Sequence, residues 1–154
     1  MNITVEQHNA LIKLTKNSIP FMVTGRYSYE SDIEPSDIDL IILKKYMDLV
    51  ETFLLIDSNK SSRGYMPDIE VNTLRVMYLD KIDILYIEDE VRWEELECFS
   101  RVIDGIRYTH PVHSMLSKIK MIMKTIPVKH KSSFKHGRDI EMFISKIINT
   151  EYNG

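Results

Sequence analysis

Asp37 and Asp39 stand two residues apart in the stretch GRYSYESDIEPSDIDLIIL, residues 25–43, with Ile38 and Leu40 interleaved and Ile41, Ile42 and Leu43 following at once. An apolar run of this kind reads as a strand. Strand side chains repeat every second residue, so both carboxylates fall on one face. Like charges at that separation repel, and burial raises the cost of keeping both ionised. A divalent cation resolves the conflict, because Mg²⁺ is a hard ion held by carboxylates and by substrate phosphates. The competing explanation is an edge strand whose charges turn outward against aggregation. It accounts for one acid better than for two on one face, and it leaves Gly25 without a role.

Two-metal phosphoryl chemistry commonly draws a third carboxylate from a neighbouring strand. Asp83, in KIDILYI, is preferred, because Ile82 and Ile84 flank it as Ile38 and Leu40 flank Asp39. Asp68 and Glu70 in PDIEV repeat the spacing of the first pair but adjoin Pro67, at a strand edge or loop. Glu70 is therefore the alternative third acid.

The elements that must position these acids can be read from periodicity. Thr4 with Gln7 makes a capping box for a helix running to about Lys16, with Ala10, Leu11 and Leu14 among its apolar residues. FMVTG is a short strand ended by Gly25, and DIDLIIL is the second strand. Tyr46, Leu49, Val50, Phe53 and Leu54 fall at helical spacing, and DSNKSSRG breaks that helix. VNTLRVMYL and IDILYIE read as two strands joined by the short turn DK. Trp93, Leu96, Phe99 and Ile103 predict a helix stopped by Gly105. Pro111 opens another helix, with Met115, Leu116, Ile119, Ile122 and Met123 on one face. Ile140, Phe143, Ile144, Ile147 and Ile148 mark a last one. The expected class is α+β, a small mixed sheet packed with helices and a C-terminal helical portion.

The chain's 154 residues are one domain by the length prior, enough to bury a real core. At 44% apolar and 28% charged, the composition excludes wholesale disorder. MNITVEQHN has no positive region leading into an apolar stretch, so no secretory signal is expected, and no apolar run approaches bilayer length. Cys98 is the only cysteine. It excludes an intramolecular disulfide and a thiolate metal site, and it fits a reducing, cytoplasmic location.

Charge divides the chain in two. Residues 1–104, the acidic sheet-bearing core, hold 11 Lys/Arg against 20 Asp/Glu, a net of −9. Residues 105–154, the basic helical portion, hold 9 against 3, a net of +6. From Gly105 to Arg138 there is no acidic residue, whereas His110, His113, His130 and His136 lie among the cations. Such a segment suits a polyanion, or it simply balances the acidic remainder. It lacks a recognisable helix-turn-helix pattern, which weighs against a DNA-binding module.

VTGRYSYESDIEPSDIDLIIL resembles the signature of the nucleotidyltransferase superfamily related to DNA polymerase β: a strand ending in Gly-Ser, about ten variable residues, then Asp-x-Asp in an apolar strand. The resemblance implies a glycine turn at Gly25 that grips nucleotide phosphates, Mg²⁺ or Mn²⁺ bound by Asp37 and Asp39, and Asp83 as the acid that activates the attacking hydroxyl. A glycine lets backbone N–H groups approach phosphate closely. The ions then supply the charge stabilisation that nucleotidyl transfer mainly requires. The motif serine is Arg26 here. Either Arg26 reaches phosphate with its planar fork, or Ser28 substitutes from two residues on, or the pocket is filled and the fold is catalytically silent.

MLSKIKMIM followed by KHGRDIEMF is similar to the lysine helix and Arg-Asp helix of nucleotidyltransferases akin to abortive-infection toxins. That similarity implies a triphosphate ligand at Lys118, with Lys120 as runner-up, and it aligns Arg138-Asp139 with the Arg-Asp pair. Glu141 does not fill the later acidic position. The implied activity is transfer of an NMP from an NTP, ATP among the candidates, to a hydroxyl on RNA, protein or a small molecule. RNA or protein would engage the basic C-terminal portion. The alternative is an inactive member of the fold that binds a nucleotide, a nucleic acid or a protein.

Overall fold

Ile38–Leu43 alternates between two apolar faces, and in the computed structural model it forms the middle strand of a seven-stranded mixed sheet. The structure describes residues 1–30, 34–54, 62–66, 73–78, 81–125 and 139–140. In chain order these give helix α1 (Val5–Lys16), strand β1 (Met22–Thr24), a 3-10 turn (Gly25–Ser28) and β2 (Ile38–Leu43). A second 3-10 turn (Lys44–Tyr46) leads into α2 (Met47–Phe53), followed by β3 (Ser62–Met66), β4 (Thr73–Tyr78) and β5 (Ile82–Ile87). The described chain continues with α3 (Glu90–Cys98), β6 (Arg101–Ile103), β7 (Ile106–Tyr108) and α4 (Pro111–Thr125).

The strand order is β3-β4-β5-β2-β1-β7-β6. β2 runs parallel to β5 and antiparallel to β1, and β1 pairs with β7 in parallel. The α+β class is as the pattern predicts, although the sheet is larger than the expected small one. It also crosses the charge boundary, since β7 lies beyond residue 104.

Each face of the sheet has its own core. Ile38, Leu40, Ile42, Ile82, Ile84 and Tyr86 pack against Leu11 and Leu14 of α1 and Val50 of α2. On the other face Met22, Ile41, Leu43 and Ile87 pack against Trp93 and Leu96 of α3. α1 starts as its sequence dictates: the Thr4 hydroxyl accepts from the Gln7 N–H at 3.2 Å and Gln7 Oε1 accepts from the Thr4 N–H at 2.9 Å.

Two expectations fail. The helix through Trp93 and Leu96 ends at Cys98 instead of reaching Ile103. Arg101–Tyr108 forms a hairpin, with Ile103 paired to Ile106 across Asp104-Gly105. Both turn residues have positive φ, 52° and 79°. That is the conformation a two-residue hairpin turn demands and Asp-Gly favours. Gly105 is thus a hairpin glycine and not a helix stop. The second failure is β3, formed by SRGYM at the sheet edge where the sequence reads only as a break. The expected last helix is described only at Asp139 and Ile140, which are helical. Phe143, Ile144, Ile147 and Ile148 lie outside the described residues. Among the described residues, no helix is long and apolar enough to cross a membrane.

Candidate functional site

The parallel register sets Asp39 directly beside Asp83, and the antiparallel register sets Thr24 beside Asp39 on its other side. Directly paired residues share a face. Asp39 lies two residues before Ile41, so its face is the α3 face, at the end where β2 and β5 begin. Asp37 immediately precedes β2 and is exposed. Asp39 is half-buried, whereas Asp83 is only 6% exposed.

The two paired acids are treated differently. Arg75 of β4 grips Asp83 with both ends of its guanidinium: Nε donates to Oδ1 at 2.9 Å and to Oδ2 at 2.7 Å, and Nη2 lies 2.6 Å from Oδ2. Among the described residues no hydrogen-bond donor reaches the Asp39 carboxylate. Burial, and next the charge of Asp83, push Asp39 up to about 7, against the opposing pull of Lys118 and Arg75. Asp37 adds a smaller push in the same direction. Arg75 was not legible as part of the site. Its only sequence signal is the alternation in TLRVMY, which puts it on the face of Met77, the residue paired with Asp83.

Gly25 closes the far side of Asp39. It adopts φ +70°, and a Cβ there would collide with Asp39 Oδ2. Only a residue without a side chain lets the turn approach the carboxylate so closely. Ser28 is wholly buried, with its hydroxyl donating to the Gly25 carbonyl at 2.6 Å and lying 2.8 Å from Ser114 Oγ. The Ser114 hydroxyl also reaches the Gly25 carbonyl, at 3.2 Å. The Ser28 hydroxyl, expected from the sequence to substitute for the motif serine, here braces the turn against α4. Arg26 pairs with Glu30 one helical turn on, Nε to Oε2 at 3.0 Å.

One turn after Ser114 on α4, Lys118 faces the site closely enough for its charge to lower Asp39. Its ammonium is 3.0 Å from Asp139 Oδ2. Asp139 in turn helps burial drive the Tyr29 hydroxyl up to about 12. Asp39, Asp83, Gly25 and Lys118 are thus brought together, with Asp37 at the margin. Arg138, Asp68, Glu70 and Glu141 lie outside the described residues, as does the side chain of Lys120.

Among the described residues, no three His, Cys, Asp or Glu side chains form a group that could hold one metal ion. The donors nonetheless suit a hard divalent ion at Asp39. Among the described residues its half-buried carboxylate has no hydrogen-bond partner, and a neighbouring acid disfavours its charge, so a cation would relieve both costs. At Asp83 the compensating charge is already supplied by Arg75.

Comparison with known proteins agrees with the fold. No protein-family model matches the sequence. No curated protein matches it either. Among solved structures, the crystal structure of ANT(2'')-Ia in complex with adenylyl-2''-tobramycin superposes with a TM-score of 0.59 at 13% identity, covering 92% of this chain and 87% of that one. The solution structure of the antibiotic-resistance factor ANT(2'')-Ia gives a TM-score of 0.53 at 14% identity, covering 96% and 91%. At such identities the likeness is one of architecture: this chain has the nucleotidyltransferase fold.

Proposed function

We propose that this protein is a metal-dependent nucleotidyltransferase that moves an NMP from an NTP to a hydroxyl acceptor. The observation that carries the reading is the pairing of Asp39 with Asp83 beneath the Gly25 turn, with Asp39 left without a hydrogen-bond partner among the described residues. Asp37 and Asp39 would hold Mg²⁺ or Mn²⁺, which supplies charge stabilisation for the triphosphate when bound. The turn after β1 receives phosphate through its backbone, and Lys118 adds a cation from α4. The acceptor oxygen attacks the α-phosphorus, its proton passes to Asp83, and the bond to pyrophosphate breaks. For that, Asp83 must be released by Arg75, whose side chain is 42% exposed and so able to swing into solvent.

A small-molecule alcohol is the acceptor class we favour. The acidic 1–104 region, which carries the paired acids and their strands β2 and β5, disfavours a polyanion at the site. The adenylyl-tobramycin bound by the structural neighbour offers a precedent for a small acceptor on this fold. A silent member of the fold is the second reading, favoured by one observation: the Arg75–Asp83 pair already neutralises the third acid.

Transfer of label from α-labelled NTPs, with Mg²⁺ or Mn²⁺, separates the two. Wild type should transfer and Asp39→Asn should not, since the variant keeps size but loses the charge a cation needs. An NTP–Mg²⁺ complex at about a hundred times its Kd should stabilise the wild type by about 2.7 kcal/mol, and far less without the ion. Because the ion competes with a proton on Asp39, Mn²⁺ affinity should rise as pH passes through about 7. Equal stabilisation with and without the ion, and no transfer, would leave the silent reading.

A further inference from the structure

Parallel neighbours such as β2 and β5 have no tight turn between them to fix their register, and a slip of one residue would turn every side chain to the opposite face. Something must pin the two strand entrances together. The Lys81 carbonyl, just before β5, accepts from the Ile38 N–H at 3.0 Å and from Gln7 Nε2 at 2.9 Å. The same Nε2 donates to the Ser36 carbonyl, just before Asp37, at 2.7 Å. Its partner atom Oε1 is taken by the Thr4 N–H. Gln7 is wholly buried, and one side-chain amide therefore bridges the entrances of both acid-bearing strands.

Ser36 is held on its other side as well. Its N–H donates to the Tyr27 hydroxyl at 3.1 Å, and that hydroxyl donates to the Asn2 carbonyl at 2.8 Å. Tyr27 is 4% exposed and belongs to the 3-10 turn that begins at Gly25. The backbone of Ser36 is thus clamped at both its N–H and its carbonyl, one residue before Asp37. A buried amide with every polar atom used holds its partners directionally, and losing it removes the Ser36 carbonyl's bond and one of the two at the Lys81 carbonyl.

We propose that Gln7 and Tyr27 are positioning residues, a clamp that sets the height of Asp37 and Asp39 against Asp83. The catalytic meaning of the clamp rests on the nucleotidyl-transfer reading above; the geometry it enforces does not. Neither side chain is placed among the groups that would touch substrate. Their contribution is to keep two carboxylates in one register across a strand pair, beside the Ile38 N–H to Lys81 carbonyl bond at the same entrance.

Gln7→Met keeps length and apolar volume and removes both donors; Tyr27→Phe removes only the hydroxyl. The test follows amide hydrogen exchange at Ile38, whose N–H donates to the Lys81 carbonyl, then Mn²⁺ affinity alone, then label transfer with NTP and Mn²⁺, with kcat and KM separated. If the clamp sets the register, both variants speed exchange at Ile38, weaken Mn²⁺ binding and lower kcat more than they raise KM. Transfer should fall roughly tenfold to a hundredfold, the scale expected of misplaced catalytic groups. Folded variants that lose thermal stability but keep the Mn²⁺ affinity and kcat would overturn the clamp and leave a merely structural role. Should Gln7→Met not fold, Tyr27→Phe decides by the same readouts. A wild type that transfers no label defeats the proposed function, and the exchange and Mn²⁺ measurements then decide the clamp alone.

Discussion

The two faces of the β2–β5 pair are built from the same twelve residues yet serve opposite ends. On the α1 face, Ile38, Leu40, Ile82 and Ile84 are at most 1% exposed, and helices α1 and α2 cover them. On the α3 face the strands continue as Ile41, Leu43 and Ile87 but begin with Asp39 and Asp83. Along one strand, then, the fold has a sealed side that stores stability and an open end that gives some of it up. The difference teaches how two acids survive in an apolar run: they sit at the entrance of a face that is apolar farther along, opposite a face that is apolar throughout.

The largest effect should come from breaking the sealed face. Ile84→Ala removes a fully buried side chain next to Asp83 in sequence but on the other side of the sheet, and should cost about 2–5 kcal/mol in urea denaturation. If that variant also abolished NTP binding while folded, the two faces would not be separable. A smaller effect is expected at the edge of the open end. Gly25→Ala places a methyl group against Asp39 Oδ2 at a positive φ, and should cost about 1–3 kcal/mol. A neutral Gly25→Ala would mean that the turn does not press on the carboxylate.

The smallest effect has the opposite sign. Burial and Asp83 raise Asp39 in the folded protein, so the native state binds its proton more tightly than the unfolded chain does. Stability from this group is full below the ordinary carboxylate range near pH 4 and is lost as pH rises through about 7. Asp39→Asn lacks that loss. It should match wild type near pH 4 and exceed it above pH 7, the gap opening between those limits, measured by denaturation across pH. Parallel pH curves for the two proteins would show that Asp39 is not under strain.

Much of this contrast was legible in the chain. The alternation around Asp39 and Asp83 marks both strands and their shared face, because a strand's period of two leaves little choice, whereas Asp37, expected on the same strand face, lies just before β2 and is exposed. The Thr4–Gln7 capping box also reads directly, since its chemistry is local. The tertiary use of Gln7 does not, for its second pair of hydrogen bonds spans 29 and 74 residues. The hairpin after α3 was hidden by coincidence. Phe99 and Ile103 extend the helical spacing of Trp93 and Leu96, yet they are 70% and 46% exposed, so the spacing there records no buried face. The Asp104-Gly105 pair was the better signal. Arg75 stayed invisible for a different reason: nothing local tells a strand arginine that pairs with an acid from one that faces water.

The parallel pairing of β2 with β5 also bears on how fast the molecule assembles. Asp39 and Asp83 are 44 residues apart in the chain, so their strands meet only after a long loop has closed. Such non-local contacts slow folding, because the entropy of closure is spent before any contact rewards it. The mutual repulsion of the two acids is felt only when that closure is complete or nearly so. It therefore weighs on the native state more than on the folding barrier, and protonating Asp39 should act chiefly by slowing unfolding. The charge on this one aspartate should thus change how long the molecule stays folded more than how fast it folds.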